Sequence, residues 1–177
     1  AKYATSFGLN QTTGIEIPES EPEISDEDSV RSAIGQGTNN YTTTQLARYI
    51  TAIANKGTVY NLTLLDKVTD VSGQVVEQQE PDILNNITDV SAGTWSTVQQ
   101  GMRAVITSSR TYDVLGDFEM SGKTGTAQQS KTHANHGLFV GFAPSSNPEI
   151  AFAIRIKNGY ESSYVGQIGR DLVRYYY

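Results

Sequence analysis

The chain has 177 residues with a formal net charge of −6 and a mean hydropathy of −0.38, values typical of an acidic globular protein of one domain or most of one. The negative charge argues against a nucleic-acid groove and against a basic membrane-surface patch. The absence of cysteine excludes disulfides and thiolate metal sites, and no apolar run reaches transmembrane length.

The first residues are typical of the end of a helix. Residues 1–7 have that character, and Gly8 is placed just past the C-terminus. Because no initiating Met, cap or turn precedes them, we expect residue 1 to lie inside a larger domain. Residues 16–28 carry seven acidic side chains and two prolines without a period. This segment predicts a solvated surface loop, since it lacks the regular oxygen-ligand spacing of a calcium loop.

Two amphipathic helices are predicted next. Thr42 and Gln45 have the spacing of a capping box, and the helix that they begin is predicted to end at Gly57. Residues 59–68 have strand character, and Gly73 is predicted to turn this run back into a small hairpin. Thr94 is predicted to cap the second helix, whose inward stripe would be Trp95, Val98, Met102, Val105 and Ile106.

Three consecutive strands and a helix are predicted for the last third. The first strand would hold residues 121–127, and the segment that leads into it would include Val114, Leu115 and Phe118. The second strand would hold residues 137–144. The third would hold residues 150–156, after a turn at Asn147-Pro148. The closing helix, over residues 164–175, would direct inward Val165, Ile168, Leu172 and Val173. The order predicts an α+β fold with an antiparallel sheet flanked by helices.

The run Lys123-Thr124-Gly125-Thr126 is the candidate site. It places a cation, two hydroxyls and a residue without a side chain along one strand edge. Such an edge can bind a peptide carboxylate and pair with a peptide backbone, which Gly125 would allow to approach closely. Taken alone, Lys123 could equally be a surface lysine in a glycine-rich turn.

Other polar groups are interpreted as structural. His133 and His136 are three residues apart and would need a third ligand to hold a metal, so we favour turn and strand-start roles. Ser145-Ser146-Asn147 is interpreted as a turn, and Gln36-Gly37 as a turn packing beneath the cleft. We expect neither a metal nor a cofactor.

A series of short motifs, taken in order, carries a family resemblance. It comprises Phe7-Gly8-Leu9, Thr13 to Pro18, Ile34 to Gly37, Thr44 to Ala47, Ile53 to Gly57, Gly101 to Val105, Gly122 to Gln128 and Phe139 to Pro144. This series resembles the C-terminal part of the transpeptidase domain of penicillin-binding proteins, with a lean toward the class B type. The resemblance covers essentially the whole chain and implies a serine β-lactamase/transpeptidase-like fold, with residues 1–177 as a partial domain.

The resemblance implies a D,D-transpeptidase that cross-links peptidoglycan through an acyl-serine and is inhibited by β-lactams. Lys123 would supply positive charge, and the Thr124 and Thr126 hydroxyls would bind the terminal carboxylate of the D-Ala-D-Ala stem peptide. The backbone N–H of Thr126 would form half of the oxyanion hole. Lys123 and Thr126 are therefore the expected catalytic residues, with Thr124 and Gly125 binding substrate.

The chain departs from the family pattern at the nucleophile. No serine has a lysine three residues later, and the one Ser-x-Asn match, at residues 145–147, lies after Lys-Thr-Gly rather than before it. We therefore expect a second polypeptide to carry Ser-x-x-Lys and Ser-x-Asn and to complete a sheet whose last strand is otherwise open. The expected location is the extracytoplasmic face of the bacterial membrane, with an anchor N-terminal to this chain.

Two alternatives remain open from the sequence. A serine β-lactamase or β-lactam sensor domain can also carry Lys-Thr-Gly, and it would differ in how fast the acyl-enzyme is hydrolysed. A non-catalytic cell-wall scaffold would fail to capture penicillin even with an intact upstream serine.

Overall fold

A computed structural model of the chain describes residues 2–25, 29–108, 119–128 and 132–177. Its helices are α1 (Lys2–Ser6), α2 (Ser29–Ala33), α3 (Thr43–Ala54), α4 (Ala92–Thr107) and α5 (Ser162–Tyr176). Its strands are β1 (Thr58–Tyr60), β2 (Lys67–Thr69), β3 (Val75–Gln78), β4 (Ile83–Asn86), β5 (Ser121–Ala127), β6 (His136–Ala143) and β7 (Ile150–Ile156). Helices and antiparallel sheets combine in an α+β architecture, as predicted.

The predicted capping box begins α3. The Thr42 Oγ1 accepts the Gln45 N–H at 3.1 Å, and the Gln45 side chain accepts the Thr42 N–H at 2.7 Å, so two otherwise unpaired donors are satisfied. The helix ends earlier than Gly57. Lys56 already has a left-handed backbone, with φ of 65°, and the Gly57 N–H bonds to the Ala52 carbonyl at 2.8 Å.

A buried arginine ties the loop after α1 to α3. Arg48 has no exposed surface and donates to the carbonyls of Thr12 and Gln11, each at 2.9 Å, and to that of Gly8. Gly8 has the left-handed backbone expected just past a helix, with φ of 72°. These bonds give the two terminal nitrogens of the buried guanidinium partners in place of water.

The acidic loop is only partly solvated, which corrects the prediction. Glu19 is half-buried and accepts the Thr13 N–H at 2.6 Å and the hydroxyls of Thr13 and Thr44, each at 2.8 Å. Burial raises the pKa of Glu19, but these hydrogen bonds outweigh it and hold the pKa below its ordinary value. Glu19 therefore stabilises the loop as a carboxylate.

The predicted strand run over residues 59–68 divides into two strands that join different partners. β2 and β3 form the predicted hairpin about Gly73, whereas β1 pairs antiparallel with β4. The pairing of β1 with β4 was missed because it joins segments more than twenty residues apart, which no local pattern reveals.

The predicted N-cap of α4 was wrong, and its predicted apolar face was only partly right. Ser91, rather than Thr94, is the N-cap, and its Oγ accepts the Thr94 N–H at 3.1 Å. Trp95, Met102 and Ile106 are buried as predicted, but Val98 is 40% exposed. The helix turns only a narrow stripe toward α3 and the sheet, so a residue at the margin of that stripe stays in contact with solvent.

The main sheet has the order β5-β6-β7, with both pairs antiparallel. One face packs against α3 and α4 through a cluster that includes Ile50, Trp95 and Phe142. The other face packs against α5 through a second cluster that includes Phe139, Phe152 and Val165. The three predicted strands are thus confirmed as the centre of a layered structure.

Helix α5 contacts the sheet through small residues. Val165, Gly166, Gly169 and Val173 are buried, and a Cβ at Gly169 would lie 2.9 Å from the Phe139 ring. Val165 and Val173 confirm the prediction, whereas Ile168 and Leu172 are 45% and 40% exposed. The prediction failed because the phenylalanine rings fill the space beneath the helix, so glycines rather than large apolar side chains face the sheet.

Several predicted features lie outside the described residues. They are the strand approach at Val114, Leu115 and Phe118 and the acidic residues Asp26, Glu27 and Asp28. In the ranges that are described, none of the helices has the length and apolarity needed to span a bilayer.

Candidate active site

The run Lys123-Thr124-Gly125-Thr126 lies within strand β5, as predicted. Lys123 stands opposite Val140 of β6, Thr124 opposite Phe139, and Thr126 opposite Gly137. Because opposed residues of an antiparallel pair share a face, the lysine and the threonines belong to different faces. Val140 packs with the α3 and α4 cluster, and Phe139 packs beneath α5.

The edge of β5 is where these groups can meet one ligand. In the described part of the chain β5 has a single strand neighbour, β6, so its other edge presents unpaired backbone groups. A peptide laid along that edge would have the Lys123 ammonium on one side and the threonine hydroxyls on the other. The alternation of side chains therefore favours binding at the edge over binding on either face.

The polar groups of the strand are accessible. Lys123 and Thr126 are exposed and Thr124 is half-buried. The Lys123 ammonium donates to the Thr124 carbonyl at 2.6 Å, which leaves other donors of the ammonium for a ligand. Lys123 is thus an exposed strand residue rather than a lysine in a glycine-rich turn.

The back of β5 is supported by rings packed over glycines. A Cβ added to Gly122 would lie 3.0 and 3.1 Å from the two Cε atoms of Phe139 and closer still to its Cζ. The Phe139 ring stacks on Phe152 with centroids 6.0 Å apart. A close-packed layer of this kind resists displacement of the strand that it supports.

The start of β5 is held by side chains of α4 and of the turn after β6, for which the sequence analysis expected no contact with this strand. Arg103 of α4 donates from Nη1 to the Met120 carbonyl at 3.0 Å. The Ser121 hydroxyl bonds to that of Ser145 at 2.8 Å, and the Ser145 N–H donates to the Glu119 carbonyl. No short-range pattern reveals these contacts, because each joins residues at least seventeen positions apart.

The other polar candidates have structural surroundings. His136 begins β6, as predicted, and its buried ring accepts the Asn158 N–H at 3.0 Å, while His133 lies in the preceding bend. Residues 144–147 form bends between β6 and β7, which confirms the turn predicted at Ser145. Across the described ranges, no three His, Cys, Asp or Glu side chains are grouped closely enough to hold a metal ion.

The turn at Gln36-Gly37 is confirmed, and its place beneath the cleft stays a prediction. Gly37 has φ of 81°, and a Cβ there would lie 2.7 Å from the Ser25 hydroxyl oxygen. The Gln36 carbonyl accepts from Asn39 at 2.8 Å.

Comparison with protein families gives one match over nearly the whole chain. The model of the penicillin binding protein transpeptidase domain matches residues 1–174. Penicillin-binding protein 2A of Bacillus subtilis is 30% identical over 99% of this chain and 28% of its own length. Peptidoglycan D,D-transpeptidase MrdA of Acinetobacter baumannii is 28% identical over 99% of this chain and 30% of its own length. The chain thus spans less than a third of these curated relatives.

Solved structures have the same fold. Penicillin-binding protein 2B from Streptococcus pneumoniae superimposes with a TM-score of 0.84 at 25% identity, over 99% of this chain and 31% of that one. The imipenem acyl-enzyme complex of penicillin-binding protein A from M. tuberculosis superimposes with a TM-score of 0.83 at 22% identity, over 97% of this chain and 40% of that one. The fold predicted from the ordered motifs is confirmed.

Proposed function

This chain belongs to the family of penicillin-binding protein transpeptidase domains, and on that premise we propose that it supplies the Lys-Thr-Gly strand of a peptidoglycan D,D-transpeptidase. The observation that carries the proposal is the accessible edge of β5, with Lys123 on one side and Thr124 and Thr126 on the other. A strand edge bearing a cation and hydroxyls suits a peptide that ends in a carboxylate. The proposed substrate is the D-Ala-D-Ala end of a stem peptide.

The reaction would proceed by acyl transfer. The serine of Ser-x-x-Lys, carried by another segment, attacks the carbonyl carbon between the two D-Ala residues and loses its proton to a base. The terminal D-Ala leaves as an amine, and an amine from a second stem peptide then displaces the serine to form the cross-link. A β-lactam would acylate the same serine and retain its leaving group within the opened ring.

Each residue of the strand has a proposed role in this chemistry. The Lys123 ammonium adds positive charge to the cleft, and with the hydroxyls of Thr124 and Thr126 it binds the substrate carboxylate. The N–H of Thr126 donates to the oxygen that becomes negative in the tetrahedral intermediate. Gly125 keeps the strand free of a side chain that would crowd the substrate backbone.

The test is capture of a fluorescent penicillin by a domain that combines this chain with the segment bearing Ser-x-x-Lys. We expect Lys123→Met to lower the second-order acylation rate constant by about a hundredfold. Removing one oxyanion-hole hydrogen-bond donor from another hydrolase has an effect of this size. Lys67→Met is the matched control, because Lys67 is an exposed lysine on β2. Undiminished capture by the Lys123 variant would contradict the proposal.

The lifetime of the acyl-enzyme separates the proposal from a β-lactamase. We expect the labelled transpeptidase to keep its label for many minutes after free penicillin is removed. Rapid loss of label with accumulation of hydrolysed penicillin would instead assign a β-lactamase. Failure to label with an intact serine would assign a non-catalytic scaffold or binding domain.

We also propose that a second polypeptide, carrying the N-terminal part of the same domain with Ser-x-x-Lys and Ser-x-Asn, completes the sheet. In the described residues β7 has one strand neighbour, β6, and so offers an open edge. Helix α5 adds an apolar stripe of Tyr164, Ile168 and Leu172, which are 59%, 45% and 40% exposed. Both features support a missing neighbour, since exposed apolar patches mark interaction surfaces.

Co-expression with and without that segment tests the partner. We expect the chain alone to aggregate, and the pair to elute together at the sum of their masses in size-exclusion chromatography. A chain that is folded and monomeric by itself would contradict this part of the proposal.

The proposed location is the extracytoplasmic face of the bacterial membrane, with an anchor N-terminal to this chain. The reason is chemical, because the stem peptides to be cross-linked lie outside the membrane. Labelling of intact cells by a penicillin that cannot cross the membrane tests this, and labelling only after lysis would contradict it.

A further inference from the structure

The strand that carries Lys123 is fixed to the helical layer by one side chain of α4. Arg103 is half-buried and donates to the carbonyl of Met120, which is completely buried. Met120 directly precedes β5, so its carbonyl lies about 10 Å along the chain from Lys123 at the ordinary rise of a strand. A charged donor makes a stronger hydrogen bond to such a carbonyl than a neutral one.

The arginine itself stands on a helix that is held firmly. The Gln99 side chain of α4 donates to the carbonyls of Ile53 and Ala54 at the end of α3, at 2.8 and 3.0 Å. Trp95 and Met102 are buried in the cluster between α3, α4 and the sheet. Arg103 therefore connects the residue that precedes β5 to a closely packed helical layer.

A second attachment holds the same end of the strand. Ser145, in the turn between β6 and β7, donates its N–H to the Glu119 carbonyl, and its hydroxyl bonds to that of Ser121 at 2.8 Å. Ser121 is almost fully buried. Two attachments at one strand end leave the strand little freedom to slide along its axis.

We propose that Arg103 is a positioning residue for the substrate-binding edge of β5, acting through the Met120 carbonyl. It sets where the Lys123 ammonium and the Thr126 N–H lie along the strand axis, and hence where the substrate carboxylate and the reacting carbonyl meet them. This inference rests on the proposed function. Displacement of a catalytic group by about 1 Å can slow a reaction about a hundredfold, so a modest slip of β5 would be visible in the acylation rate.

The first experiment replaces Arg103 in the complete domain and measures acylation. We expect Arg103→Met to lower the acylation rate constant of a fluorescent penicillin about tenfold or more, at a temperature where the protein is fully folded. Arg103→Lys keeps a charged donor and should recover part of the rate. Lys67→Met, which replaces an exposed lysine of β2, is the control and should acylate normally.

A double-mutant cycle with Lys123→Met distinguishes positioning from general stability. If Arg103 acts through β5, adding Arg103→Met to Lys123→Met should cost much less than it costs alone, so the two effects are not additive. Additive losses, or an Arg103→Met protein that is folded and acylates normally, would overturn the inference. Should Arg103→Met not fold, Arg103→Gln keeps a neutral donor at this position, and normal acylation by that variant or losses additive with Lys123→Met would overturn the inference.

The outcome is separable from that of the proposed function. Normal capture of penicillin by the Lys123→Met variant would contradict the proposed function itself. A strong effect of Lys123→Met with no effect of Arg103→Met would leave the proposed function in place and remove only the positioning role of Arg103.

Discussion

The ring of Phe139 fills the space that a side chain at Gly122 would occupy, one residue before Lys123. Phe139 is completely buried, stacks on Phe152 and contacts α5. The ring therefore cannot move aside without disturbing the layer between the sheet and α5, and the position of the binding strand depends on the absence of a Cβ at Gly122.

This relationship predicts that Gly122→Ala destabilises the complete domain. Overpacking of a close-packed layer costs about 1–3 kcal/mol, so we expect a loss of that size in the free energy of unfolding measured with urea. Because β5 has to shift to admit the methyl group, penicillin acylation should slow as well. A protein of unchanged stability would contradict the proposed packing role.

Gly101→Ala is predicted to have the opposite effect. Gly101 lies in α4, and within the described residues no heavy atom beyond its chain neighbours and the nearby helix backbone is within 4 Å of the place where its Cβ would lie. Replacing a helical glycine by alanine without a clash reduces the entropy of the unfolded chain and stabilises by about 0.5–1 kcal/mol. The same urea titration measures it, and a loss of stability would show that the site is more crowded than the structure indicates.

Arg48→Met is predicted to be among the most damaging changes outside the site. It leaves the carbonyls of Gly8, which is buried, and Thr12, which is half-buried, without the guanidinium donor, whereas the Gln11 carbonyl keeps its bond from the Gln45 side chain. Unpaired buried polar groups cost about 1–3 kcal/mol each before relaxation, so we expect a loss of at least about 2 kcal/mol in the free energy of unfolding. Arg155→Met is the exposed control and should change stability little, and equal effects of the two variants would refute the argument.

His136 is predicted to make stability fall in mild acid. Burial, and then the charges of Arg155 and Lys157, lower the pKa of His136 below its ordinary 6.5. The unfolded chain then binds a proton more readily than the folded one, so stability is full above pH 6.5 and declines as the pH drops below it. Unfolding at pH 5–7 should show a shallower decline of stability for His136→Gln than for the parent protein. Identical slopes for His136→Gln and the parent would exclude this residue as the cause.

Thr126→Val is predicted to weaken penicillin acylation while Thr126→Ser preserves it. Thr126 is exposed on β5, and its hydroxyl would bond to a carboxylate in the proposed complex. Hydrogen bonds to charged groups contribute about 1.5–3 kcal/mol, which corresponds to roughly a tenfold or greater loss of the acylation rate constant. Valine keeps the shape and the backbone N–H, so an unchanged rate would show that the hydroxyl takes no part.

Local chemistry made much of the fold predictable. Thr42 and Gln45 determine the start of α3 because both hydrogen bonds of a capping box lie within four residues. The strands β5, β6 and β7 follow from residues of strand character separated by turns, and the ordered motifs pointed to the correct family. An error arose where two hydroxyl residues three positions apart could each act as the N-cap, as with Ser91 and Thr94 at the start of α4.

The sequence correctly placed the run on a strand, but it did not reveal the contacts that support that strand. Lys123, Thr124, Gly125 and Thr126 were proposed as the candidate site because their chemistry and their order in the motif series coincide in one short run. The contacts that place that run come from elsewhere in the chain, through Arg103, Ser145 and Phe139.

Covalent order places an ammonium, a glycine and two hydroxyls within four residues, and the alternation of side chains along a strand puts the ammonium and the hydroxyls on opposite faces, so both features follow from the sequence. Register with β6 assigns Lys123 to the face that packs against α3 and α4 and the threonines to the face beneath α5, which no local pattern could predict. Tertiary packing likewise places glycines rather than Ile168 and Leu172 against the sheet beneath α5. Close packing depends on which distant side chains already occupy the space, and hydrophobicity along one helix does not contain that information.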